Sequence, residues 1–143
     1  MTVETILAQK GRSVATIDPA RTLGEAAREL SSRRIGAVVI VDGDMTVLGI
    51  LSERDIVRAL AKRGSAALEE PVREYMTGRV VTCKGQAGIN DVMQLMTDGK
   101  FRHIPVVEDG RLAGIVSIGD IVKQRLAEIE AESQALREYI ATA

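Results

Sequence analysis

Aromatic residues are nearly absent: two Tyr, one Phe and no Trp stand among 143 residues. The core must therefore be aliphatic, and there is no set of rings on which single-stranded nucleic acid could stack. Cys83 is the one cysteine, so no disulfide can close within the chain, which points to a reducing compartment. His103 is the one histidine. No His/Cys cluster exists for a metal ion, and Ser52 and Ser117 have no histidine base at motif spacing that would make either a nucleophile. Neither sign of charge dominates, with 19 basic and 20 acidic residues and a net charge of −1. That balance leaves no electrostatic footprint for nucleic acid or an anionic membrane. No run approaches the ~18 apolar residues of a membrane span, and Met1-Thr2-Val3-Glu4 lacks the basic and apolar regions of a signal peptide. The cytoplasm is the expected compartment.

What is present is a sequence that says nearly the same thing twice. The composition, 45% hydrophobic and 27% charged, is that of an ordinary globular domain with room for a sizeable core. Residues 16–57 and 82–122 follow one pattern and close on matched signatures, Gly49-Ile50-Leu51-Ser52-Glu53-Arg54-Asp55 and Gly114-Ile115-Val116-Ser117-Ile118-Gly119-Asp120. Thr16 pairs with Thr82 at an offset of 66, and Leu23, Ala26, Ala27 and Leu30 pair with Ile89, Val92, Met93 and Met96 at the same offset. The apolar runs beginning at Ala37 and Ile104 align at 67, and the closing signatures at 65. Two small insertions are therefore expected, one before the apolar run and one in the Asp42–Thr46 loop. Two copies are too few for an open solenoid, so the units are expected to cover each other's apolar faces.

Each copy reads as β-α-β-β-α, giving an α/β (α+β) fold of two pseudo-symmetric motifs packed through their sheets. The expected organisation is an N-terminal helical segment over 1–13, a first motif over 14–64, a linker over 65–79, a second motif over 80–123 and a helical extension over 124–143. Thr2 is positioned to cap the first helix and Gly11 to end it. Thr22 and Glu25 form a capping-box pattern before the face of Leu23, Ala26, Ala27 and Leu30. Ala37–Val41 is a buried strand. The helix after Ser52 is expected to bury Ile56, Val57, Leu60 and Ala61 on one face. In the last helix Val122, Leu126, Ile129, Ser133, Leu136 and Ile140 form one stripe running past the repeat. That stripe either folds over its own domain or meets a second chain.

The paired Ser-x-x-Asp positions are the chemical centre of the sequence. Ser at a helix N-cap with an acidic residue three positions on is a common helix start, favoured also by the helix dipole. The same turn occurs twice, however, each time entered from a strand, and side chains at strand carboxyl ends commonly surround ligands. An ionised carboxylate accepts hydrogen bonds and donates none, so Asp55 and Asp120 suit a vicinal diol and would repel a bare phosphate. Ser52 and Ser117 can donate to a phosphate or ribose oxygen. Diol plus anion describes a ribonucleotide.

These residues are where the chain resembles a known family. The duplication ending in Gly-h-h-Ser-x-x-Asp (h, aliphatic) resembles a pair of CBS motifs, a Bateman module, over about residues 14–123. Arg34-Ile35-Gly36-Ala37-Val38-Val39-Ile40, Tyr75-Met76-Thr77 and Arg102-His103-Ile104-Pro105-Val106 support it, and the chain looks most like the small stand-alone bacterial CBS-pair proteins. The resemblance implies a regulatory module, not an enzyme, that binds AMP, ADP, ATP, NAD or S-adenosylmethionine in clefts between the motifs. It implies a homodimer shaped as a flat disk and output to a separate, unidentified effector protein. By position it assigns Asp55 and Asp120 to ribose hydroxyls, and Ser52 and Ser117 to ribose or phosphate. It assigns Thr16-Ile17 and Thr82-Cys83 to the walls of the adenine pockets, and the backbone of Ala37 and Ile104 to the adenine edge. Arg102 and His103 match phosphate-contacting positions, where the first copy offers Ile35-Gly36; Arg54 is a further phosphate candidate. The two clefts are therefore expected to differ.

Overall fold

The computed structural model describes residues 1–142. The element order is α1 (Val3–Lys10), β1 (Thr16–Ile17), α2 (Leu23–Arg33), β2 (Ala37–Val41), β3 (Val47–Ser52) and α3 (Glu53–Arg63), then two 3₁₀ segments (Gly64–Glu69 and Val72–Glu74). The second copy follows as α4 (Ile89–Gly99), β4 (His103–Glu108), β5 (Arg111–Ser117) and α5 (Ile118–Thr142). This is the expected mixed α/β architecture, with sheet orders β1-β2-β3 and β4-β5. Where the first copy has β1 parallel to β2, the second has only a single parallel bridge between Cys83 and Val106.

Strand pairing corrects the expected alignment. Ala37 lies opposite Ser52, and His103 lies opposite Ser117. Ile40 faces Gly49 as Val106 faces Gly114, and both hairpins break register at the next residue. Ala37 is thus the structural counterpart of His103, not of Ile104, and the offset of 66 holds from Thr16 through Val41. Only one insertion exists, in the Asp42–Thr46 loop. There the Asp42 carboxylate accepts the Asp44 and Thr46 amides at 2.9 and 3.0 Å. The second copy turns instead on Asp109-Gly110, both at positive φ (52° and 77°), the conformation a two-residue hairpin needs. A continuous aliphatic run carries no periodic mark of its register, so its residues alone cannot distinguish the two alignments.

Each copy buries its own core, and each core is closed by a segment from outside the repeat. The first core (Leu23, Ala26, Leu30, Val38, Ile40, Leu51, Ile56) is covered by Val72 and Met76 of the linker. The second (Ile89, Val92, Met96, Ile104, Val106, Val116, Ile121) is covered by Val3, Ile6 and Leu7 of α1. The backbone docking is equivalent. Leu23 N–H donates to Glu70 O and Val72 N–H to Arg21 O, as Ile89 N–H donates to Met1 O and Val3 N–H to Ala87 O. The N-terminal helix therefore serves the second motif, Val3 meeting Ala87 across 84 positions of sequence, as the linker serves the first.

Two local expectations change and one holds. Thr2 makes no side-chain cap; its carbonyl accepts the Thr5 amide instead. The Thr22–Glu25 pair forms as expected: Thr22 Oγ1 accepts the Glu25 amide at 3.1 Å and donates to Glu25 Oε1 at 3.3 Å, while the Glu25 carboxylate also pairs with Arg21. In α3 the buried residues are Ile56 and Ala59, while Val57 is 65% exposed and Leu60 and Ala61 also lie outside. The Ser52–Asp55 turn sets the helix rotation, and residues four and seven beyond Ser52, Ile56 and Ala59, then face inward. Helix α5 starts the same way, burying Ile121 and Gln124. Its long stripe faces out: Val122, Leu126 and Ile129 are 46, 55 and 46% exposed.

Candidate functional site

The two Ser-x-x-Asp turns lie where the copies meet. Gly36, immediately before β2, packs on His103 at the start of β4, close enough that a Cβ on Gly36 would fall 3.2 Å from His103 Cε1 and 3.9 Å from Glu53 Oε1. The two helix starts are built alike. Gly36 O accepts the Glu53 amide at 3.1 Å, and Arg102 O accepts the Ile118 amide at 2.8 Å. Arg54 Nη1 donates across the boundary to Lys100 O at 3.4 Å. Farther along, Leu112 N–H donates to Met45 O and Arg111 Nε to Asp44 O.

Both aspartates cap their helices, and each does so with one oxygen. Asp55 Oδ2 accepts the Ser52 amide at 2.9 Å and the Ser52 hydroxyl at 3.2 Å. Asp120 Oδ2 accepts the Ser117 amide at 2.9 Å, and Ser117 Oγ accepts the Asp120 amide at 3.1 Å. The second oxygen is spare: Asp55 Oδ1 sees only Arg58 Nη1 at 3.9 Å, and no hydrogen bond among the described residues reaches Asp120 Oδ1. Capping and ligand binding are therefore not exclusive, because a carboxylate has lone pairs for both.

Asp120 has a partner that Asp55 lacks. Lys10 Nζ, at the end of α1, donates to Asp120 Oδ2 at 2.7 Å. Burial pushes the Asp120 carboxyl up, but the Lys10 ammonium and the Ser117 amide outweigh it and hold the group below the ordinary aspartate range. Burial lowers the affinity of His103 for its proton, against an opposing pull from Asp120, so His103 is neutral at pH 7. No local motif marks Lys10, which stands 110 residues from the carboxylate it meets; only the docking of α1 on the second core brings them together.

The remaining candidates fall around these turns unevenly. Thr16 and Ile17 pair with Val39 and Ile40, so they line the same sheet as Ala37 and Ser52. Thr82 and Arg102 are exposed, and Cys83 is half-buried. Burial, then Glu108, pushes the Cys83 thiol up to about 11. Ile104 has no exposed surface (0%) and Ala37 very little, so contact with their backbone requires neighbours to move aside. Two open cavities, of about 590 and 540 Å³, border these turns: one runs along the outer face of α5 from Ile118 and Gly119, and the other lies between α2 and α3 beside Arg34, Ile35 and Glu53. Among the described residues there is no group of side chains that could hold a metal ion, and no helix is long and apolar enough to cross a membrane.

Two copies of one β-hairpin-plus-helix unit, each with a capped aspartate at their junction, define a tandem-repeat binding fold. The CBS domain model matches residues 10–62 and 72–127, and the chain belongs to the CBS-domain family. It is 34% identical over 149 aligned positions to the mitochondrial CBS domain-containing protein CBSX3 of Arabidopsis thaliana, covering 97% of this chain and 71% of that one. Among solved structures it resembles the CBS-domain containing protein ATU1752 from Agrobacterium tumefaciens, with 50% identity, a TM-score of 0.84 and coverage of 87% and 92% of the two chains. It also resembles the CBS domain pair of protein MJ0100, solved in complex with 5′-methylthioadenosine and S-adenosyl-L-methionine. That likeness has 28% identity, a TM-score of 0.80 and coverage of 90% and 98%.

Proposed function

We propose that this chain is a regulatory module, not an enzyme, that binds adenine nucleotides (AMP, ADP, ATP or NAD) at the Asp55 and Asp120 turns and passes the signal to a separate effector protein. The observation that carries this reading is the divided use of each aspartate: one oxygen holds the helix start and the other is left for a ribose hydroxyl. Asp120 is ionised and therefore an acceptor for a diol. The adenosine ligands of the MJ0100 pair support the ligand class. In this reading Ser52 and Ser117 serve ribose or phosphate. Thr16, Ile17, Thr82 and Cys83 flank adenine, the Ala37 and Ile104 backbones meet its edge, and Arg54, Arg102 and His103 lie on the phosphate side.

The same reading makes the chain a homodimer. Val57, Leu60, Val122 and Leu126 lie on the outer faces of α3 and α5, and large apolar side chains left exposed on neighbouring positions suit an association site. A second copy, presenting the same helices, is the proposed cover.

The capping geometry itself favours a second reading, a structural dimerisation module in which Ser and Asp only start helices. Thermal melts and calorimetric titrations with AMP, ADP, ATP and NAD separate the two. A ligand that binds the folded chain raises its melting temperature, by a stabilisation that grows as the logarithm of ligand concentration over Kd. No heat and no shift with any of the four would leave the capping reading standing.

A further inference from the structure

Lys10 is set against Asp120 by a fixed scaffold. Helix α1 is held on the second core by Val3, Ile6 and Leu7 and by backbone bonds to Ala87 and Gly85, so the end of the helix has a defined position. The ion pair it makes is partly exposed, with both side chains a quarter to a third accessible. Such pairs contribute little to stability. A flexible ammonium in a weak pair is free to move to a better anion. The Asp55 turn has no equivalent, because its nearest cation is Arg58 of its own helix at 3.9 Å.

On the nucleotide-binding reading above, we propose that Lys10 determines specificity in the Asp120 cleft, selecting adenosine ligands that carry a 5′-phosphate over neutral adenosines. A ribose diol has two hydroxyls: one takes the spare Asp120 Oδ1, and the second reaches Oδ2, where it displaces the Lys10 ammonium from its partner. A 5′-phosphate, within one side-chain swing of the diol, replaces that partner with a charge-assisted hydrogen bond. A ligand without phosphate offers nothing in exchange, so Lys10 stays on Asp120 and competes with the diol. The Asp55 cleft lacks this lysine, so changes at Lys10 leave its preference unchanged. Neither the diol site nor the sequence motif predicts that difference; the position of α1 does.

The test is calorimetric titration of AMP and adenosine in an Asp55→Ala background, which leaves one cleft. Lys10→Met and Lys10→Gln remove the charge, and Lys10→Arg retains it; thermal melts identify which variants are folded, and two neutral variants guard against a folding defect in one. The expected result is a ratio of AMP to adenosine affinity about tenfold lower in the neutral variants, the size of one hydrogen bond to a charged group. Adenosine is expected to bind as well as before or better, and Lys10→Arg to retain the preference. An unchanged ratio in a folded neutral variant overturns the role of Lys10 while the nucleotide reading stands. If the parent chain, with both aspartates and Lys10 intact, takes up none of adenosine, AMP, ADP, ATP and NAD, the nucleotide reading falls, and the role of Lys10 falls with it.

Discussion

Leu7 lies directly over Gly114: a Cβ added to that glycine would fall 2.8 Å from Leu7 Cδ2. In the first copy Met76 lies over Gly49 in the same way. The glycine that opens each Gly-h-h-Ser-x-x-Asp signature is thus a packing requirement, set by a covering side chain from α1 or from the linker. Gly114→Ala is expected to destabilise the chain by about 1–3 kcal/mol through overpacking, and Leu7→Ala by about 2–5 kcal/mol through the cavity it leaves. Because the two residues touch, denaturant melts of the double variant should show a loss well below the sum of the two. Strict additivity would mean that α1 does not pack there.

Acid is expected to weaken the fold in two steps. His103 binds its proton less readily in the folded chain, so the unfolded chain takes that proton first and stability falls as pH drops below about 6.5. Asp120 is held low, so its contribution is full above about 3.9 and is lost as pH falls through the lower folded value. Melting temperature against pH measures both. His103→Gln should flatten the upper step and Asp120→Asn the lower. A parent chain more stable at about pH 5 than at pH 7 would contradict the sign worked out for His103.

Cys83 is expected to be a poor nucleophile. With its thiol pushed up to about 11 by burial and Glu108, almost no thiolate exists at pH 7. Alkylation by iodoacetamide should be slow in the native chain and speed up in urea. Rapid modification without unfolding would show that the bridge to Val106 opens readily.

Leu126→Glu should convert a dimer into a monomer without loss of helix content. Leu126 is 55% exposed and lies beyond the buried face of α5, so a charge there costs the folded chain little and an apolar interface much. Sedimentation equilibrium with circular dichroism reads both quantities. An unchanged mass would place the contact elsewhere or remove it.

The fold was legible in the residues wherever a local rule decides. Thr22 with Glu25, the Asp42-Gly43 and Asp109-Gly110 turns and the Ala37–Val41 run each mark their elements. Readings failed where the decision is not local. Val38, Val39 and Ile40 are interchangeable aliphatics, so the one-residue slip against Pro105 and Val106 became visible only through the partners Ser52 and Ser117. Val57 and Leu60 look like core until the Ser52–Asp55 turn sets the rotation of α3. Lys10 ends an unremarkable helix, and its meeting with Asp120 depends on which core α1 covers. At the site, the Ser-x-x-Asp pairs were evident from the repeat, but the spare oxygen on each aspartate is a matter of geometry.

The central claim is that the two carboxylates hold a ribose as well as a helix start. Calorimetric titration of AMP into the parent, Asp55→Ala and Asp120→Ala chains tests it most directly. Each alanine variant is expected to remain folded, losing about 1 kcal/mol of stability with the cap, and to bind AMP at least about tenfold more weakly at its own cleft. Both variants binding AMP as tightly as the parent would show that the aspartates only cap, and the ribose assignment would be wrong.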